Sequence, residues 1–205
     1  LFRSRANDAQ LADGDLLLID AGCELEGYAS DITRTFPVSG RFSGAQRELY
    51  NIVLEAQRAA IEATRPGMRF IDPHNAAVRV LAQGLIDCGL INGPVDTAIE
   101  SGAYRRFYMH RTGHWLGMDV HDCGEYREPG ESAAGGEKPW RVLRPGMVLT
   151  EEPGLYVRAA DDVPRHFQDI GIRIEDDALV TQTGCEILTG DVPKTVDAIE
   201  SLMRG

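Results

Sequence analysis

Apolar runs and their polar boundaries predict short strands near both ends of the chain. Residues 13–22 read DGDLLLIDAG, which is a turn, a short apolar run and a second turn, so a strand is expected to end near Asp20. Residues 28–36 are rich in β-branched and aromatic side chains and predict a second strand. Residues 148–157 and 171–181 predict further strands in the last third of the sequence.

A helix is predicted within residues 43–64. Ser43 and Gln46 have the spacing of a capping box at its start, and Pro66-Gly67 stops it. Its apolar stripe consists of Leu49, Val53, Ala56 and Ala60. The residue pattern therefore predicts an amphipathic helix that buries one face.

A second helix is predicted from Asp72, with Pro73 at its first position and Gly89 near its end. Residues 92–102 and residues 124–139 are predicted to be loops, the latter because they contain four glycines and two prolines. Strands at both ends with helices between them predict an α+β fold. A doubly wound sheet is less favoured, because the βαβ alternation is missing.

Composition narrows the class of protein without defining its function. The chain has 205 residues, of which 43% are hydrophobic and 26% charged, as is typical of a soluble globular protein. No repeat or linker divides it, so residues 1–205 are interpreted as a single domain. The formal net charge of -11 and the lack of a basic stripe argue against a nucleic-acid partner. No apolar run is long enough to span a bilayer, so no membrane association is expected.

The four cysteines lie far apart and form no CxxC pair. This pattern indicates free thiols in a reducing compartment rather than a disulfide framework or a zinc knot. The expected location is therefore the cytoplasm, with the mitochondrion as the alternative.

Four acidic residues stand at or near the ends of apolar strands: Asp20, Asp31, Glu152 and Glu175. Asp20 and Asp31 are eleven residues apart, so a strand, a turn and a return strand would bring them together. A carboxylate among apolar side chains needs a cation, an arginine or a set of donors. Arg34 and Arg173 could neutralise two of the four at most. A pair of divalent metal ions would satisfy all of them.

Taken singly, each carboxylate also has an ordinary structural explanation. Asp20 is typical of a turn, and Asp31 could cap a turn or pair with an arginine. Glu175 could belong to a solvated acidic turn. Glu152 could simply end a strand, and strand alternation allows only one of Glu151 and Glu152 to face a site.

Two histidines strengthen the interpretation that these carboxylates belong to a functional site. The segment GHWLGMDVHD, residues 113–122, holds His114 and His121 among apolar residues. One buried histidine is usually a hydrogen-bonded core residue, but two in a glycine-flanked segment favour a functional site. Their occurrence together with four strand-end carboxylates favours metal binding.

Five motifs then carry a resemblance to a known family. IDAG, SDITRTFPV, HRTGHWLGMDVHD, LTEEPGLY and GIRIEDD occur in this order from about Asp13 onward. Together they resemble the catalytic domain of the Xaa-Pro aminopeptidases (aminopeptidase P), which belong to the pita-bread metallopeptidase family with prolidase and methionine aminopeptidase. The resemblance implies the pita-bread fold, a curved and mostly antiparallel sheet covered by helices.

The resemblance implies two divalent metal ions with five ligands: Asp20, Asp31, His114, Glu152 and Glu175. Asp20 would bind one ion, Asp31 and Glu175 would bridge both, and the other two ligands would complete the second ion's shell. Four carboxylates and one imidazole suit Mn²⁺, with Co²⁺, Fe²⁺ and Zn²⁺ as alternatives. His110 and His121 would contact the substrate, Glu152 would also relay a proton, and Arg173 would support the bridging carboxylates.

The implied activity is removal of the first residue from peptides with proline at the second position, by a hydroxide that bridges the two ions. A homo-oligomer is expected. One alternative is a prolidase, which cuts Xaa-Pro dipeptides; another is a truncated metal-binding or interaction module without peptidase activity. Methionine aminopeptidase is less favoured, because its histidine motif lacks the following VHD.

The resemblance is incomplete at the start of the chain. The family's catalytic domain has a further stretch before the DAG strand, and the expectation is that this first half is missing here. A histidine in an HY-like motif is also expected shortly before that strand, where this sequence has Arg3 in FRSRAN. Glu151 is a smaller departure, since an apolar residue is common there. The resemblance therefore leaves the activity of this short chain open.

Overall fold

A computed structural model describes residues 10–130 and 136–205, and Arg3 lies outside them. The strands are β1 Leu16–Ala21, β2 Glu24–Leu25, β3 Tyr28–Ala29, β4 Ile32–Pro37, β5 Val148–Glu151, β6 Gly154–Val157, β7 Ile170–Arg173, β8 Asp176–Val180 and β9 Cys185–Ile187. The α-helices are α1 Gly44–Ala63, α2 Ile71–Asp87, α3 Val95–Glu100 and α4 Val196–Arg204. The mixture of helices and antiparallel strands confirms the predicted α+β class.

The first helix confirms its prediction, because Ser43 caps α1 and forms the reciprocal capping box with Gln46. The predicted start of the second helix was wrong by one residue. Helix α2 begins at Ile71, so Pro73 occupies its third position rather than its first. Proline is accepted there because the first turn of a helix leaves its N–H groups without intrahelical partners.

The prediction that residues 92–102 form a loop was wrong. Helix α3 follows Pro94, whose extended backbone precedes the first turn, and Asp96 lies in that turn. Asp96 also accepts a hydrogen bond from Arg79 of α2 at 2.7 Å, so a tertiary contact supports a helix too short to form alone. In the second predicted loop, residues 131–135 lie outside the described ranges. The rest of that loop contains only an isolated bridge between Arg127 and Trp140.

All strand pairs within the described ranges are antiparallel. β1 pairs with β4, β6 pairs with β7, and β8 lies between β5 and β9. Strand β4 also contacts the end of the β7 strand and the residues after it. The Thr35 hydroxyl donates to the Arg173 carbonyl at 3.0 Å, and the Glu175 amide donates to the Thr33 carbonyl at 3.0 Å. These contacts bring distant parts of the chain to one place.

Helices α1 and α2 pack together and contribute the largest share of the main hydrophobic core, against which β6 and β7 also pack. A second, smaller core surrounds Phe70, Trp115 and Leu149. Burial of these apolar surfaces is the main stabilising contribution to the fold. Within the part of the chain that the structure describes, no helix combines the length and the apolar character that crossing a membrane requires.

Candidate metal centre

One cleft of about 880 Å³ contains every residue that the sequence nominated for a site. The eight are Asp20, Asp31, His110, His114, His121, Glu152, Arg173 and Glu175. They come from β1, from the residues before β4, from the segment 110–121, and from the ends of β5 and β7. Side chains that are far apart in sequence therefore share one solvent-accessible depression.

Pairing of β1 with β4 places Asp20 and Asp31 next to each other. Asp20 lies opposite Thr33 in the register, so Asp31, two residues before Thr33, stands beside it, and both side chains line the cleft. The turn between them requires glycine, because a Cβ on Gly22 would lie 1.7 Å from the carbonyl oxygen of Ser30. The strand–turn–strand arrangement predicted for these two carboxylates is confirmed.

His114 is held by backbone contacts with β5. A Cβ at Gly113 would lie 2.0 Å from the carbonyl oxygen of Thr150, so only glycine allows this approach. The Nδ1 of His114 donates to the carbonyl of Trp115 at 3.0 Å. The other nitrogen, Nε2, then lies 3.4 Å from Asp31 Oδ2 and 3.9 Å from Glu152 Oε1. This tautomer leaves Nε2 available as a ligand.

The adjacent Glu151 and Glu152 face opposite sides of the strand end, as strand alternation predicted. Glu151 is 1% exposed and accepts a hydrogen bond of 2.5 Å from the hydroxyl of Thr64 behind the site. Glu152 lines the cleft. Only one of the two glutamates is therefore positioned to act there.

The alternative explanation of Glu175 as part of a solvated acidic turn was wrong, because Glu175, Asp176 and Asp177 are all buried. The hydroxyl of Thr33 donates to Glu175 Oε2 at 2.5 Å. The same hydroxyl accepts from Arg173 Nε at 3.1 Å. These contacts fix the orientation of the Glu175 carboxylate and place a cation beside it.

The donor set fits a divalent metal ion. One ligand atom each from Asp31, His114 and Glu175 lies within 4.8 Å of the others, and Glu152 approaches His114 from the same cleft. Carboxylate oxygens with a single imidazole suit hard or borderline divalent cations. Asp20 lies outside this group of three, since it forms an ion pair with Arg173. It lines the same cleft as the group and stands beside Asp31.

The two remaining histidines differ in their surroundings. His110 donates from Nδ1 to the carbonyl of Arg111 at 2.8 Å, and its Nε2 accepts from the hydroxyl of Tyr156 at 2.6 Å. Both of its nitrogens are therefore engaged by the protein. His121 is exposed, and its ring centroid lies 4.1 Å from that of His114. Of the two, His121 is the more available for contact with a bound molecule.

Burial and mutual repulsion of the carboxylates dominate the electrostatics. Burial raises the pKa of Glu152 to about 7, although Arg173 opposes the shift. Burial and the neighbouring Glu152 raise the pKa of Glu175 to about 8. Burial opposes the charged form of His114, but its hydrogen bonds to Asp31 and Trp115 outweigh this and raise its pKa to about 8. The site therefore favours added positive charge, whether protons or metal ions.

These shifts predict the pH dependence of stability without metal. Because the folded-state pKa values of Glu152, Glu175 and His114 all lie above their ordinary values, their protonated forms favour folding. In EDTA, Tm should fall as pH rises from about 5 to about 8. Saturating Mn²⁺ should raise Tm most at the alkaline end, since ions bind deprotonated ligands. Differential scanning fluorimetry measures both series, and a Tm that rises with pH in EDTA would contradict the assignment.

The sequence analysis did not identify several residues that line the cleft or support its ligands. Thr33 was detectable, because it stands two residues after Asp31 and therefore points to the same face of extended chain. Tyr156 gave no comparable signal within an apolar strand. Arg111, Arg127 and Trp140 also line the cleft, but two of them lie in or beside the glycine-rich segment predicted only as a loop.

Fold and site together define a metallopeptidase domain. Residues 2–182 match Metallopeptidase family M24, and the chain belongs to this family. It is 52% identical over 198 residues to the Xaa-Pro aminopeptidase of Haemophilus influenzae, which covers 97% of this chain and 44% of that protein. The chain therefore spans less than half the length of this relative.

Solved structures agree with this assignment. The Pseudomonas aeruginosa aminopeptidase PepP is 55% identical with a TM-score of 0.91, over 98% of this chain and 44% of that one. A zinc-substituted aminopeptidase P of Escherichia coli, in complex with product, is 49% identical with a TM-score of 0.89. That match covers 97% of this chain and 43% of the other. The similarity confirms the pita-bread fold expected from the five motifs.

Proposed function

We propose that this chain carries the metal centre of an Xaa-Pro aminopeptidase, which removes the first residue from peptides with proline at the second position. The observation that carries the proposal is the convergence of Asp31, His114 and Glu175 within 4.8 Å in a cleft that Glu152 also lines. The names of the similar proteins support the same activity.

In this proposal the chain binds two divalent ions, and Mn²⁺ is the expected metal. Asp20, Asp31, His114, Glu152 and Glu175 would hold the ions, and Asp31 and Glu175 are the most deeply buried of these carboxylates. Co²⁺, Fe²⁺ and Zn²⁺ suit the same donors and are the alternatives.

Bound ions of this kind lower the pKa of a coordinated water and polarise the carbonyl that is attacked. The chain's own groups supply the rest. Glu152, which lines the cleft beside His114, would accept a proton and pass it to the leaving prolyl nitrogen. The exposed His121 imidazole, which lines the cleft, would donate a hydrogen bond to the oxygen that gains charge. Arg173 and Thr33 hold the Glu175 carboxylate in place.

The test compares release of the first residue from Ala-Pro-Ala and from the dipeptide Ala-Pro, using the full chain with Mn²⁺. We expect cleavage of the tripeptide, at least a hundredfold loss in His114→Ala, and loss in EDTA, because each treatment removes the ions that activate water. His166→Ala, at an exposed histidine outside the cleft, is the matched control and should retain activity.

Two results would contradict the proposal in different ways. Cleavage of the dipeptide alone would indicate a prolidase. Two bound Mn²⁺ per chain without cleavage of either peptide would show that the metal centre exists without a working substrate site. Metal content measured by mass spectrometry on the same samples separates these results.

We also propose a cytoplasmic location and assembly into a homo-oligomer. All four cysteines are free, and Cys23 and Cys123 are exposed, as is typical of a reducing compartment. Leu25, Tyr28 and Met118 are 74%, 65% and 66% exposed at the β2–β3 hairpin and the loop beside it, as expected of an association surface. Cell fractionation and light scattering of the purified chain test the two statements.

A further inference from the structure

Three cleft residues have no part in the proposed metal chemistry. Arg111, Arg127 and Trp140 line the same depression as the metal ligands. The guanidinium carbon of Arg111 lies 4.7 Å from the centroid of the Trp140 ring, and that of Arg127 lies 3.6 Å from it. One wall of an otherwise acidic cleft therefore carries two cations on an aromatic platform.

Trp140 is anchored in the fold. Its ring lies 6.4 Å from that of Phe70 in the second core, and its carbonyl accepts a hydrogen bond of 2.9 Å from Arg69. Arg127 is also held, since it donates to the Lys138 carbonyl and to the Glu137 carboxylate, each at 2.8 Å. The platform is therefore fixed, and the charge of Arg127 is already compensated.

The charge of Arg111 is not compensated in this way. No carboxylate in residues 10–130 or 136–205 lies within ion-pair distance of its guanidinium, and the residue is exposed. Stacking on Trp140 holds the group by a cation–π contact. An arginine held in a cleft with donors to spare is suited to bind a carboxylate.

Arg111 also lies at a short distance from the metal ligands. Its carbonyl accepts from His110 Nδ1, which is 3.9 Å from Glu152 Oε2. An extended peptide advances about 3.3–3.6 Å per residue, and an arginine side chain spans roughly two such steps. Arg111 is therefore within reach of a group that lies two or three residues from the cleaved bond.

We propose that Arg111, positioned by Trp140, binds a carboxylate on the leaving side of the substrate and so determines which Xaa-Pro peptides are cleaved fastest. The carboxylate is either the C-terminus of a short peptide or an acidic side chain near the proline. The acidic metal ligands, away from Arg111 in the cleft, suit the substrate's N-terminal ammonium. The ammonium and the carboxylate of the peptide would then bind at opposite ends and orient it. This inference rests on the proposed aminopeptidase function.

The experiment measures kcat/KM on matched peptides with Mn²⁺-loaded chain. Ala-Pro-Ala is compared with Ala-Pro-Ala-amide for the C-terminal carboxylate, and Ala-Pro-Glu-amide with Ala-Pro-Gln-amide for the side chain. The wild type should prefer the charged member of at least one pair by about tenfold, the effect of one charge-assisted hydrogen bond. In Arg111→Gln this preference should disappear, so that the two peptides of a pair have about equal kcat/KM. Arg111→Lys should retain part of it, because the charge remains and the bidentate geometry is lost.

Arg58→Gln, at an exposed arginine of α1 outside the cleft, is the matched control and should keep the wild-type preference. Equal preferences in wild type and Arg111→Gln would overturn the inference. If no Xaa-Pro peptide is cleaved at all, the aminopeptidase proposal fails, and calorimetric binding of Pro-Ala against Pro-Ala-amide decides the role of Arg111 separately. A tenfold difference in Kd that is lost in Arg111→Gln would support it, and equal Kd values in the wild type would refute it.

Discussion

Replacing Glu152 with glutamine should lower kcat for Xaa-Pro cleavage by about 10²–10⁴-fold. Glutamine keeps the size of the side chain but removes the negative charge that faces His114 and, in the proposed mechanism, the group that would relay the proton. Because the change acts on chemistry more than on binding, KM should change much less than kcat. Steady-state kinetics on Ala-Pro-Ala at saturating Mn²⁺ gives both values.

The neighbouring Glu151→Gln provides the matched control. Glu151 faces the interior and accepts from Thr64, and burial raises its pKa to about 8. Its carboxyl group is therefore largely protonated at pH 7, and a neutral amide of the same size replaces it with little change. Activity should remain within about threefold of wild type, since the reacting groups are untouched. Equal losses in the two variants would show that the strand end, rather than the carboxylate in the cleft, controls the rate.

Replacing Arg34 with glutamine should lower the free energy of unfolding by about 3–5 kcal/mol. Arg34 is 2% exposed and pairs with Asp176 at 2.7 Å, so its loss leaves a buried carboxylate with Lys194 as its remaining cation. The guanidinium also donates to the carbonyls of Thr33 and Glu175, which lie directly beneath the metal centre. Urea denaturation at pH 7 in EDTA measures the effect without a contribution from bound ions.

Arg79→Gln is the control for this prediction. Arg79 and Asp96 form an ion pair at 2.7 Å, but their side chains are 60% and 69% exposed. Solvent screening limits such a pair to less than about 1 kcal/mol. If both variants lost the same small amount of stability, the buried network around Asp176 would not stabilise the fold as predicted.

The sequence allowed the elements with strong local signals to be predicted. The capping box at Ser43 identified the start of α1 almost to the residue, and the turn–strand–turn pattern located β1. The four cleft carboxylates, His114 and His121 were found because each stands at a strand end or in a glycine-flanked histidine segment, whereas His110 was expected only from the family resemblance. Helix α3 was missed, because its six residues are held by packing of Ala98 in the main core and by the contact of Asp96 with α2 rather than by a helical pattern of their own.

The supporting residues of the site were harder to predict, because their partners are distant in sequence. Arg34 was expected at most to neutralise a cleft carboxylate, but it pairs with Asp176, one residue beyond Glu175. The apparent surface charge of the EDD motif is in fact buried, and nothing in the local sequence shows where its partners come from. Tyr156 likewise contacts His110 across 46 residues. Such pairs follow from sheet topology rather than from local propensity.

The long sequence separation between Thr33 and Glu175 limits how early the candidate metal centre can assemble during synthesis. The two residues are 142 positions apart, and the segment with His114 lies between them in sequence. A nascent chain that has emerged only through α2 contains both early aspartates but neither the imidazole nor the late glutamates. Because bringing distant segments together costs loop entropy until their contacts form, the ligand set is complete only after β7 has left the ribosome and folded. The candidate ligands can therefore come together only after Glu175 has been synthesised and its segment has packed against β4.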